Sequence, residues 1–297
     1  MQNYLLRWDE GSINYVENVL EAQLLKVRKQ KEVLQKRIAA SRNFVPLLTE
    51  RSDEEMFDPK FLSMFTENCI SSSKFAKTIE TVNEDTLCFP LFTEEFAETL
   101  IKHSQEFVRF SANALTDVSG NERPMVLDIM KLGWLNDVLL NRVINPVAQI
   151  TFSDQINSGV LDWRHGYVVA YASSPETLHT EEMKVVSRSR LVAHTDDSEL
   201  TLNVCLGREF QGGQVLLTGV RGCARREPDV YTPRRGWALL HIGRQFHEVS
   251  PVTSGQRFSL IVWARSYSSV RGRTCPCCWM NNRDPLRHTC ICSAHWN

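Results

Sequence analysis

The residues of this chain that could do chemistry are His194 and Asp196, two apart in His-Thr-Asp, with His247 far downstream and Arg257 ten residues after it. On a β-strand, positions i and i+2 point to the same side. His194 and Asp196 can therefore present an imidazole and a carboxylate together. A second imidazole from a distant strand completes two nitrogens and one carboxylate oxygen on one face of a metal ion. That donor set suits ferrous iron and leaves positions open for a co-substrate and O2. The guanidinium of Arg257 is always charged, and its planar fork grips a carboxylate through two parallel hydrogen bonds. Metal donors plus a carboxylate anchor predict oxidation at an iron centre with a carboxylate-bearing co-substrate, with His194, Asp196 and His247 as ligands.

The elements that must hold these groups read as short β units. Thr201–Leu206 is a buried strand leaving the metal, and Gln211-Gly-Gly-Gln-Val-Leu-Leu217 is a glycine-marked turn into another strand. Pro233-Arg-Arg-Gly-Trp-Ala-Leu-Leu240 is a turn feeding a strand; His247–Val252, a turn at Ser254-Gly255 and a strand Arg257–Trp263 follow. Regularly spaced short strands with turn residues between them predict a sandwich or jelly roll.

On His-Thr-Asp-Asp-Ser-Glu-Leu-Thr-Leu-Asn-Val-Cys-Leu206, Phe210–Leu217, Pro233–Leu260 and Gly166-Tyr-Val-Val-Ala-Tyr171, the chain resembles the double-stranded β-helix oxygenases of the prolyl 4-hydroxylase superfamily. Within it, the catalytic domain of procollagen lysyl hydroxylases is the better match, because prolyl 4-hydroxylases usually carry lysine where this chain has Arg257. It also resembles proteins known only as 2-oxoglutarate and iron-dependent oxygenase domain-containing. The resemblance implies Fe(II) held by His194, Asp196 and His247, and 2-oxoglutarate held at its distal carboxylate by Arg257, with Ser259 on the same strand face and Tyr171 assisting. It further implies O2 as co-substrate, a use for L-ascorbate, and hydroxylation of a protein lysyl or prolyl side chain coupled to succinate formation. A catalytically weak iron- and 2-oxoglutarate-binding scaffold or sensor is the alternative. The segment between Tyr171 and His194 exceeds that of lysyl hydroxylases by about a dozen residues; such polar loops often contact substrate.

Several positions stay open on residue type alone. His241 competes with His247, which the arginine at plus ten and Pro251-Val252 favour. Asp197 would have to turn to the other strand face to replace Asp196, so it reads as a neighbouring or surface acid. Thr201 and Asn203 share a strand face and could touch the co-substrate or simply fill the core, while Trp237 and Trp263 read as core.

With 297 residues and 42% hydrophobic composition, the chain can build a substantial core. A formal charge of −1 gives no global attraction to nucleic acid or anionic membrane. No apolar run reaches membrane-spanning length, and Met1–Glu10 lacks the regions of a signal peptide. An intracellular protein, cytoplasmic or nuclear, is expected, which disfavours collagen as substrate.

The expected fold class is α+β, with a helical N-terminal region at 1–88, the double-stranded β-helix domain with supporting helices at 89–268, and a Cys-rich tail at 269–297. Residues 12–42 hold apolar positions at helical spacing with a basic remainder, read as a solvated helix docked on the core. Helices are also expected over 56–82, from Thr93 as N-cap to about Ala112, and over roughly 134–150. In the tail, Cys275, Cys277, Cys278, Cys290 and Cys292 with His288 and His295 admit a zinc site, against a reduced extension as the simpler reading.

Overall fold

A computed structural model of the chain describes residues 10–65, 70–114, 125–173, 188–220 and 223–271. Twelve strands lie within these: β1 (Glu80–Asn83), β2 (Thr86–Pro90), β3 (Met125–Val126), β4 (Trp163–Ala172), β5 (Leu191–His194), β6 (Leu200–Gly207), β7 (Phe210–Gly212), β8 (Val215–Val220), β9 (Cys223–Tyr231), β10 (Trp237–Ile242), β11 (Gln245–Val249) and β12 (Val252–Arg265). The larger sheet runs β1-β2-β10-β6-β12-β4-β3 with β7 on the start of β12, and the smaller runs β5-β11-β8-β9. Strand pairing within both is antiparallel, the arrangement of a jelly roll.

Alternation along the strands makes the larger sheet two-faced. Leu200, Leu202 and Val204 of β6 stand beside Ala264, Val262 and Leu260 of β12, and all join the main apolar core on the outer face. The intervening positions, Thr201, Asn203 and Cys205, stand beside Trp263, Ile261 and Ser259 and face inward. Between the sheets, Cys88 and Leu239 meet Val215, Leu217 and Tyr231.

The helices are α1 (Glu10–Ser41), α2 (Asp53–Met56), α3 (Pro59–Ser63), α4 (Ser72–Thr78), α5 (Glu94–Ala114), α6 (Gly133–Val138) and α7 (Asn145–Thr151). Thr93 caps α5 as its position predicts, its Oγ1 accepting from the Phe96 amide at 3.1 Å. The helical stretch expected at 134–150 is interrupted by a π-helical segment, Leu139–Ile144. Pro146 lacks an N–H, and just before it the Asn145 amide reaches back five residues to Leu140 O.

The front of the chain departs from a separate helical region. The expected 56–82 helix is broken into α2, α3 and α4, then the strand β1. Asp58-Pro59 restarts the helix, since Pro suits only a first turn, and Thr81-Val-Asn83 extends into pairing with β2. β2 itself crosses the 88/89 boundary and pairs with β10. Phe44, Leu48, Phe57 and Phe61 belong to the same buried cluster as Leu260 of β12. The described side chains of α1 are not laid along this core: those at 13, 20, 24 and 27 are exposed, and among the described ones only Ser41, at its end, is buried. The turn around 119–124, most of the polar loop at 173–182, Cys69 and the Cys-rich tail beyond Arg271, with its zinc reading, lie outside the described residues. No described helix is long and apolar enough to cross a membrane.

His103 ties the front segment to α5. Its Nδ1 accepts from the Leu48 amide at 3.1 Å and its Nε2 faces Met130 O at 2.9 Å. Burial holds the imidazole below its ordinary value of 6.5, outweighing the Met130 carbonyl. Between the folded and unfolded values the unfolded chain binds the extra proton, so stability rises with pH there and is lost as pH falls below about 6.5. Thermal unfolding of His103→Gln should therefore change less between about pH 7 and pH 5 than that of the parent chain.

Candidate metal and co-substrate site

β5 and β11 pair so that His194 lies directly opposite His247, with ring centroids 4.3 Å apart. Each ring has its Nδ1 tied to a carbonyl two residues upstream: His194 to Val192 O at 2.8 Å, His247 to Gln245 O at 3.0 Å. Donation from Nδ1 leaves the lone pair on Nε2. Both Nε2 atoms face Asp196, at 3.6 Å from Oδ1 for His194 and 3.7 Å from Oδ2 for His247. The ligand atoms of the three residues all lie within 4.8 Å of one another. Burial, then neighbouring His241, pushes the His247 imidazole down to about 4, so at neutral pH it is an uncharged donor.

Asp196 is not placed by strand alternation as its spacing suggests. β5 ends at His194, and Asp196 lies beyond it, held by its amide donating to Gly243 O at 2.8 Å. Its carboxylate, 3% exposed, accepts from Thr201 Oγ1 at 2.7 Å, and that hydroxyl is paired with Ser198 Oγ at 2.7 Å. Thr201 thus orients the carboxylate. Thr201→Val should weaken metal binding by about 10- to 100-fold, measured by equilibrium titration with Fe(II) in the absence of oxygen.

Arg257 is 1% exposed and stands directly across the β4–β12 ladder from Tyr171, its guanidinium carbon 5.4 Å from the tyrosine ring centre. It donates from one terminal nitrogen to Gly213 O at 2.7 Å, while its buried Nε has no partner among the described residues. Gly213 has φ +66, and a Cβ there would lie 3.3 Å from Arg257 Cδ, so glycine permits both the turn and the close approach. Two positions along β12, Ser259 is fully buried with an unpartnered Oγ. Burial raises the Tyr171 phenol above its ordinary value, keeping it a hydroxyl donor. Unsatisfied buried donors cost stability. Here they suit an acceptor-rich ligand with a carboxylate.

No family model matches the chain. Among curated proteins, it is 28% identical over 257 residues to the 2-oxoglutarate and iron-dependent oxygenase domain-containing protein ICU11 of Arabidopsis thaliana, covering 83% of this chain and 61% of that one. It is 30% identical over 229 residues to the human 2-oxoglutarate and iron-dependent oxygenase domain-containing protein 2, covering 74% and 61%. Mouse procollagen-lysine,2-oxoglutarate 5-dioxygenase 1 matches at 28% over 200 residues, 61% of this chain and 24% of that one. The chain belongs to this oxygenase superfamily. It spans 61% of the length of both the Arabidopsis and the human relative. Among solved structures, a Pseudomonas putida prolyl-4-hydroxylase matches over 72% of this chain and 98% of that one, at 13% identity and TM-score 0.41.

Among superfamily features expected from sequence, the fold brings His194, Asp196 and His247 together, and pairs Arg257 with Tyr171. His241 is excluded from the converging donors: it is buried with its Nδ1 at 2.9 Å from Ile242 O, its ring 4.6 Å from that of His247. Asp197 is a surface acid paired with Arg265 and Arg271 at 2.8 and 2.7 Å. The sequence reading missed the aromatic wall: on the inner face, His165, Tyr167 and Trp263 pack ring against ring, with centroids 5.7–6.2 Å apart. Its signal was the alternation of His165, Tyr167, Val169 and Tyr171 along one strand face.

Proposed function

We propose that this chain is an Fe(II)- and 2-oxoglutarate-dependent dioxygenase that hydroxylates a protein lysyl or prolyl side chain. The observation that carries the reading is the convergence of three metal donors, together with a buried, incompletely paired guanidinium, with Tyr171 close enough to feel the charges of both Arg257 and Asp196. His194, Asp196 and His247 would hold the iron; Arg257, with Ser259 and Tyr171, would hold the distal carboxylate of 2-oxoglutarate. With iron, co-substrate and O2 bound, the centre supplies oxidative decarboxylation: one oxygen atom ends in succinate, the other in the hydroxylated product, and carbon dioxide leaves.

The chain's own residues bind, orient and exclude water. The carbonyls of Val192 and Gln245 fix the imidazole tautomers, and Thr201 fixes the carboxylate. Arg257 and the protonated Tyr171 supply charge and hydrogen-bond donors in a dry environment, where such contacts are strong. The Tyr167–Trp263 wall would shield the reacting side chain from water. A protein substrate is supported by the lysyl hydroxylase relatives.

Succinate formation tests the reading, using purified chain with Fe(II), 2-oxoglutarate and L-ascorbate as reductant. Turnover that disappears in His247→Ala supports it. Tight binding of iron and 2-oxoglutarate with no turnover on any peptide would instead make the chain a sensor or scaffold.

A further inference from the structure

The long N-terminal helix carries an apolar stripe that stays exposed among the described residues, and its charge distribution says what covers it. α1 has 32 residues, about 48 Å at 1.5 Å per residue. Its base is fixed: Lys131 Nζ donates to Arg42 O and Phe44 O at 3.0 and 2.7 Å, and Phe44 packs edge-on to His103 and Phe107. Away from that base, Ile13, Leu20, Leu24, Val27 and Ile38 fall on one stripe at helical spacing, and each is at least 42% exposed. Helices of this kind draw their stability from burial of the apolar face, so a covering partner is required.

The charges of α1 are segregated. Residues 10–25 carry Glu10, Glu17 and Glu21 with no lysine or arginine; residues 26–41 carry Lys26, Arg28, Lys29, Lys31, Lys36 and Arg37 against the single acid Glu32. Complementing the helix dipole does not explain this, because that effect is confined to the terminal turns and the last turn of α1 holds no basic residue. Laid antiparallel on a second copy, the acidic half of each helix meets the basic half of the other. Full overlap then sets Ile13 of one copy beside Ile38 of the other, and Leu24 beside Val27. A parallel pair would juxtapose the two basic halves. We propose that α1 is a self-association element that pairs antiparallel with α1 of a second copy of this chain.

The test is the mass of the full chain by sedimentation equilibrium at micromolar concentration. The expected result is a dimer that becomes monomeric in Leu24→Glu/Val27→Glu, whose positions are exposed and leave the folded body intact. Reversing one half, Glu17→Lys/Glu21→Lys, should also give monomer. Adding Lys26→Glu/Arg28→Glu/Lys29→Glu/Lys31→Glu to that chain should restore the dimer, because the halves are again opposite in net charge. A monomeric parent chain overturns the proposal, as does a dimer indifferent to Leu24→Glu/Val27→Glu. A monomer whose α1 binds anionic vesicles or RNA overturns it too, and assigns the helix to that surface.

Discussion

Replacing Arg257 by methionine raises the 2-oxoglutarate concentration needed for half-maximal succinate formation by about 30- to 4,000-fold, while the chain stays folded. The magnitude follows from truncating one partner of a buried, hydrogen-bonded charge pair, which costs about 2–5 kcal/mol, at 1.4 kcal/mol per tenfold. The folding expectation follows from the same burial. Arg257 is 1% exposed with an unpartnered Nε and one bond to Gly213 O. Exchanging a buried charge for an apolar side chain of similar volume is commonly neutral or stabilising. Steady-state kinetics with 2-oxoglutarate as the varied substrate, together with thermal unfolding, checks both halves. An unchanged requirement would remove Arg257 from the co-substrate site.

Asp196→Asn abolishes succinate formation and iron binding, and raises the unfolding temperature of the metal-free chain. The carboxylate is 3% exposed, and among the described residues its ion-pair neighbours are the two imidazoles. Burial holds the His247 imidazole low, down to about 4, so at neutral pH it offers no positive charge in return. A carboxylate buried beside an uncharged His247 costs stability that a bound metal offsets. The amide keeps the shape and relieves that cost, but loses the anionic ligand. Opposite signs for stability and binding are the signature of a site built for a ligand. Differential scanning calorimetry with and without Fe(II) reads both: the parent chain should gain stability from iron and the variant should gain none.

The candidate site was largely legible in the sequence because its donors are side chains of rare type at strand spacing. His-Thr-Asp, the distant His247 and the arginine ten residues on pick out one chemistry. What holds them there was not legible. Asp196 is positioned by the carbonyl of Gly243, on a turn distant in sequence, and by Thr201, whose strand face also admitted core filling. The sequence favours His247 over His241 through Arg257 and Pro251-Val252, and the pairing of β5 with β11 sets His247 opposite His194.

The fold was legible where strands are apolar and hidden where they are polar. β6 and β12 announce themselves; β9, written Cys-Ala-Arg-Arg-Glu-Pro-Asp-Val-Tyr, reads as a loop because it is an edge strand carrying charge. Ser254-Gly255 reads as a turn, yet it lies inside β12: Gly255 takes φ +70 and the strand bends there while pairing with β7. A Cβ at Gly255 would lie 2.1 Å from Glu209 O, so only glycine permits that approach. α1 covers the stretch where apolar spacing predicts a helix, and its exposed stripe shows that periodicity does not say what a helix packs against.

The central claim is that one inner surface binds ferrous iron through His194, Asp196 and His247, and 2-oxoglutarate through Arg257. Calorimetric titration of 2-oxoglutarate into the Fe(II)-loaded chain without oxygen tests it most directly, because it requires no knowledge of the hydroxylated substrate. The account predicts one 2-oxoglutarate per chain, with binding lost in Asp196→Ala for want of iron and greatly weakened in Arg257→Met with iron retained. Failure to bind iron, or 2-oxoglutarate binding indifferent to both substitutions, would contradict it.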